Sequence, residues 1–156
     1  MRREQFTLEV SNVDWVDADG DPTKPAVSID FTGPSTTLRE RLSDSDGDPL
    51  EASETDVALR LQGPLTDETS GVVSVTNRIT GEYILELNEK ADDVLQFIRA
   101  ARGYGEQVNE DDGRYEVAIA IDGDPFVTFD KRMFLVYDDE GKLLRQHSLI
   151  PSGVEL

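Results

Sequence analysis

Short runs in which apolar and polar residues alternate recur along most of this chain, and only two segments break that rhythm for a helical one. A period of two sends successive side chains to opposite faces, so each run reads as a half-buried strand. Phe6, Leu8 and Val10 face one way while Thr7, Glu9 and Ser11 face the other. Val27, Ile29 and Phe31 repeat the pattern and stop at Gly33-Pro34. Val57, Leu59 and Leu61, then Val73 and Val75, then Tyr83, Leu85 and Leu87 predict three further strands. Asn77 to Gly81 reads as the hairpin connection between the last two. Tyr115, Val117, Ile119 and Ile121 follow, and Asp122 to Pro125 turns the chain into Phe126 to Phe129. Met133 to Tyr137 is apolar on both faces, which predicts a central strand. Asp138 to Gly141 then forms a hairpin loop with Gly placed for positive φ, and Leu143 to Ser148 returns as a strand.

The longer helical pattern spans Glu89 to Arg102, with Asn88 as N-cap and Glu89, Asp92 and Asp93 in the first turn, where the helix dipole favours acids. Ala91, Val94, Leu95, Ile98 and Ala101 form its apolar stripe, and Gly103 and Gly105 are placed to end it. Arg102 falls within the stripe on a helical wheel, a position for pairing with a carboxylate at the core edge. A short helix is expected from Thr36 to Leu42, with Thr37 and Glu40 as a capping box and Leu38 and Leu42 spaced i, i+4. Trp15, after Asp14, reads as a core anchor. The expected fold is a single α+β domain over residues 1–156. It is a mostly antiparallel sheet of about seven to eight strands with one long and one short helix.

Charge narrows the setting. Acids outnumber bases 33 to 15, for a net charge of -18, and only Lys24, Lys90, Lys131 and Lys142 are lysines. The carboxylates are spread evenly and not gathered into a tail, which suggests adaptation to solvent more than an acidic binding block. So much charge repels itself in dilute buffer, whereas at molar salt the screening length falls to about 3 Å. A salt-rich cytoplasm is therefore the expected setting, with K⁺ and water held non-specifically at the surface; an ordinary acidic protein is the alternative. Nucleic acid is an unsuitable partner, because a phosphate backbone calls for a basic footprint. With no cysteine there is no disulfide, thiolate zinc site or thiol nucleophile. The first residues lack an apolar signal region, and no stretch approaches the ~18 apolar residues of a membrane helix, so a cytoplasmic location without membrane contact is expected.

Motifs of chemistry are sparse. Asp-Gly-Asp-Pro occurs at Asp19–Pro22, Asp46–Pro49 and Asp122–Pro125. A calcium loop needs Gly at its sixth place and Glu at its twelfth. Counted from Asp17 those places hold Pro22 and Ser28, and from Asp44 they hold Pro49 and Thr55, so acidic turns are expected instead. Gly103-Tyr104-Gly105 follows a helix where a phosphate loop precedes one. Neither Ser74 nor Ser152 has a nucleophile-elbow context, and a lone His147 cannot build a multi-histidine metal site. No cofactor and no catalytic residues are expected.

Against so acidic a background, the acid-free stretches Thr69–Gly81, Val94–Gly105 and Gly141–Val154 stand out. Their Arg78, Arg99, Arg102, Arg145 and His147 are the candidate interaction patch, able to hold an anion or a partner if the fold brings them together. Burial alone also excludes carboxylates, and chance yields about one run as long as the last. A non-enzymatic binding or regulatory module is the leading expectation, meeting a protein partner or a second copy through a sheet edge or the segment Gly141–Val154. The rival is a small hydrolase or ligand-binding enzyme using paired carboxylates, with a magnesium ion.

Asn12-Val13-Asp14-Trp15, Leu38-Arg39-Glu40-Arg41-Leu42, Val73 to Arg78 and the ending Leu144 to Leu156 resemble a family of small acidic haloarchaeal proteins of unknown function. The resemblance spans the chain and its ending is the most specific part. It implies a salt-rich cytoplasm and transfers no functional residues.

Overall fold

The alternating runs pair into two separate sheets. The computed structural model describes residues 2–18, 20–66, 68–108 and 112–154. Expectations that rest on Asp19, Asp111, Glu155 and Leu156 lie outside them. Along the chain come β1 (Phe6–Ser11), β2 (Ala26–Phe31), the short helix α1 (Thr36–Arg41), β3 (Thr55–Leu61), β4 (Ser70–Asn77) and β5 (Tyr83–Lys90). The long helix α2 (Ala91–Gln107) is followed by β6 (Tyr115–Ile121), β7 (Asp124–Lys131) and β8 (Leu135–Tyr137).

The first sheet has the order β1-β2-β6-β7 and the second β5-β4-β3-β8. The α+β class and the antiparallel majority match expectation, but the strands divide between two sheets. Each sheet has one parallel contact, β2 with β6 and β3 with β8. Both contacts join strands far apart in sequence, and a long return is what a parallel neighbour requires. One core cluster takes Ile29, Phe31, Val117 and Ile119 from the first sheet and Leu59, Val75, Leu85 and Val136 from the second. Val94, Phe97, Ile98 and Ala101 of α2 join it, as do Leu38 and Leu42, both fully buried. Phe97 stands edge-on to Tyr115 at 5.5 Å, and Phe134 lies 5.6 Å from Tyr115, a favourable geometry for aromatic rings. Trp15 is buried and donates its indole N–H to the Asn12 carbonyl at 2.5 Å.

Lys131 ties the two sheets together. Its Nζ donates to the Ala52 carbonyl at 2.7 Å and the Thr55 carbonyl at 2.6 Å, from a position only 6% exposed. Burial lowers its pKa from 10.5 to about 8, the nearby Arg78 charge adds to that, and Asp56 opposes it. Burial likewise pushes the Tyr115 hydroxyl well above its ordinary value while it donates to the Met133 carbonyl.

Five local expectations need correction. Helix α2 starts at Ala91 and not Glu89, because β5 keeps its ladder to the end, with Glu89 opposite Gly71 and Lys90 opposite Ser70. The helix also runs through both glycines to Gln107. Gly105 lies inside it because a Cβ there would strike the Asp112 carbonyl group and the Gly113 Cα. The capping box of α1 is absent: Ser35 is the N-cap and makes no side-chain cap bond. Met133–Tyr137 is not central. β8 is an edge strand, and its free side is covered by isolated bridges from Tyr137 to Leu143 and Phe134 to Leu149. The segment after it is no strand either, since Arg145–His147 forms a 3-10 turn held by the Ser148 hydroxyl, which donates to the Leu144 carbonyl at 2.8 Å.

Candidate functional site

Two recesses gather the polar side chains of interest. The larger, about 470 Å³, lies on the outer face of the second sheet. Its shape follows from strand register. Ala58 of β3 stands opposite Ser74 of β4, which stands opposite Glu86 of β5. On the other flank Leu135 and Tyr137 of β8 pair with Ala58 and Arg60. Small residues, Ala58, Ser74 and Thr76, therefore floor the middle, while Tyr83, Tyr137, Met133 and Leu135 rise around them.

Tyr83 reaches this rim through a backbone irregularity. Plain alternation puts it on the inner face with Leu85 and Leu87. The register shifts between Val75 and Thr76, so Leu85 pairs with Val75 but Tyr83 pairs with Thr76. The extra residue, Ile84, is buried with Leu85, and Tyr83 turns outward, 51% exposed. A bulge that re-aims a side chain in this way occurs often beside functional sites.

Both carboxylates of this trough are paired with arginines, and Arg60 lines it as well. Arg78 donates from both Nε and Nη2 to one oxygen of Asp56, at 3.0 and 2.6 Å. Arg3 donates to Glu86 at 2.7 Å. The corresponding face of the first sheet differs: Glu9, Asp30, Glu116 and Asp130 stand on it, and of these Asp130 is ion-paired, with Lys24 and Arg114. As a catalytic pair Asp56 and Glu86 are badly placed. Their strands flank β4, about 10 Å apart at two strand spacings, and the two positions are offset along the register. Ser74 and His147 line different recesses, so no nucleophile–base couple forms between them.

The second recess, about 370 Å³, runs beside α2. Asp92, Leu95, Arg99 and Arg102 stand at i, i+3, i+7 and i+10 on one helix face and make one wall. Gln146 and His147 of the last 3-10 turn, with Leu65 and Thr66 from the β3–β4 connection, make the other. Arg102 donates to the Ser148 carbonyl at 2.8 Å, an oxygen of the main chain and not the carboxylate expected. Arg145 lines the adjoining hollow with Arg102 and Glu106. The fold thus brings Arg99, Arg102 and His147 together, sets Arg145 next to them and places Arg78 apart, in the trough.

The acidic turns hold their own backbones. The Asp44 carboxylate accepts the N–H groups of Asp46 and Asp48, both at 2.9 Å, and that of Asp138 accepts those of Glu140 and Lys142. Among the described residues no group of three or more metal-ligating side chains gathers, and no helix is long and apolar enough to cross a membrane.

Sequence reading missed the trough because its floor is made of residues that carry no signal singly. Only the pairing of β3, β4 and β8 reveals that Ala58, Ser74 and Leu135 form one row. A family of unknown function, DUF5793, matches residues 1–156, and the chain belongs to it. No curated protein and no solved structure matches the chain.

Proposed function

We propose that this chain is a non-enzymatic binding module of a salt-rich cytoplasm, meeting a protein partner through the outer face of the second sheet. One observation carries the reading. In a chain with 33 acids, both carboxylates lining the trough are bound by arginines, and the rim is tyrosine, methionine and leucine. Tyrosine and arginine are the side chains enriched where partners dock. A face without unpaired carboxylates, to which Arg60 adds a positive charge, is also where another acidic protein approaches with least repulsion. The rest of the coat holds K⁺ and water non-specifically. Nucleic acid and membranes have no place in this reading. A carboxylate-dependent hydrolase would need Asp56 or Glu86 freed from its arginine and brought to the other.

The test sets an unpaired carboxylate on the floor with Ser74→Glu and the same charge on the other sheet with Ser28→Glu. Tagged forms of each are used to capture partners from native extract at molar KCl, with melting temperatures checked alongside. Loss of the captured partner with Ser74→Glu alone supports the reading. Identical partner sets for both variants end it.

A further inference from the structure

We infer that the cleft between α2 and the Arg145–His147 turn binds a small phosphate monoester that carries an apolar group. Arg99 and Arg102 stand three residues apart on one face, and like charges at that spacing repel. Carboxylates are abundant in this chain, and Arg3, Lys24, Arg78, Arg114, Arg132 and Lys142 each have an ion pair with one. Arg99 and His147 have neither an ion pair nor a side-chain hydrogen bond among the described residues, and Arg102 has only a carbonyl oxygen. Two guanidinium groups and an imidazole thus face one recess of about 370 Å³, none of them paired with a carboxylate among the described residues.

The donors suit an oxyanion with more than one charged oxygen. A guanidinium forks onto phosphate oxygens in pairs, and the second arginine and His147 add donors that a single carboxylate would leave idle. The remaining lining sets the rest of the ligand. Leu95 and the exposed Leu65 are apolar and lie along the same recess. Asp92 stands seven residues before Arg99, about 10 Å along the helix axis. It accepts the Gln96 amide at 2.8 Å, so the one carboxylate lining the cleft among the described residues is held at the far end from the arginines. Phosphate at the arginine end and an apolar body against Leu65 and Leu95 is the arrangement that fits. This site is separate from the sheet trough, and failure of either leaves the other standing.

The experiment titrates inorganic phosphate, phenyl phosphate and benzyl alcohol into the full chain at fixed KCl, following the His147 ring by NMR and heat by calorimetry. Saturable binding of both phosphates is expected, with phenyl phosphate the tighter, and none of benzyl alcohol. Arg99→Gln removes one charge-assisted contact from an exposed position and is expected to weaken phenyl phosphate at least about tenfold. Lys142→Gln makes the same change in net charge on a side chain outside the cleft and is expected to change affinity little. No saturable shift at His147, or equal weakening by both variants, overturns the assignment. Equal affinity for phosphate and phenyl phosphate would remove its apolar half.

Discussion

Replacing Lys131 with methionine should remove a pH dependence that the wild-type fold carries. The ammonium is buried against two carbonyls and its pKa falls from 10.5 to about 8. Between those values the unfolded chain keeps a proton that the folded chain has released, so stability rises as pH rises through that window. Below pH 8 both states hold the proton and the fold carries the whole cost of burying the charge. At about 1.36 kcal/mol per pH unit, the window is worth about 3 kcal/mol. Lys131→Met leaves the Ala52 and Thr55 carbonyls without this donor, a loss of about 1–3 kcal/mol each that does not vary with pH. Tyr115, whose pKa is raised, loses stability for the fold above its ordinary value, but it does so in both proteins and cancels in the difference. Urea unfolding of both proteins at fixed KCl across this range measures that difference. The wild type should gain about 2–3 kcal/mol over the variant between pH 7 and pH 10. A flat difference would refute burial as the dominant effect. A fall with rising pH would show that attraction to Asp56 outweighs it.

Other perturbations separate the remaining structural claims. Gly105→Ala puts a Cβ 2.7 Å from the Asp112 carbonyl carbon and 2.9 Å from the Gly113 Cα, and thermal melts should show a loss of at least about 2 kcal/mol. Gly103→Ala, whose nearest neighbour is Trp15 at 3.8 Å, should gain about 0.5–1 kcal/mol from helix propensity. Phe97→Ala empties the space against Tyr115 and Phe134 and should cost about 3–5 kcal/mol by denaturant titration. Circular dichroism across a KCl series should show melting temperature falling as salt is withdrawn; an unchanged value would end the salt-adapted reading.

Strand patterning was legible because it is local. Phe6–Val10, Val27–Phe31 and Tyr115–Ile121 each alternate through their own length, and each is a strand of the first sheet. What depends on distant chain was not legible. Glu89 scores as a helix start, yet its position is set by the ladder to Gly71. Gly103 and Gly105 look like helix stops, but Gly105 is there for the close approach of Asp112. Apolar residues on both faces of β8 suggested a central strand. One face meets the core while Leu135 and Tyr137 rim an open trough.

The same limit governs the two recesses. Scarcity of acids drew attention to Arg99, Arg102, Arg145 and His147, and chain folding sets these near one another because the last turn passes alongside α2. Arg78 met the same criterion but belongs to the trough, where it neutralises Asp56. The tyrosine rim had no signature at all, since the bulge that exposes Tyr83 arises from pairing with β4.

The central claim is that the trough of the second sheet is covered by another protein in the cell. Placing a benzophenone amino acid at Tyr137, and separately at Glu9 on the outer face of the first sheet, allows direct capture by light in living cells. A discrete covalent adduct is expected from position 137 and none from position 9. Absence of an adduct at 137, or the same adduct from both positions, would contradict it.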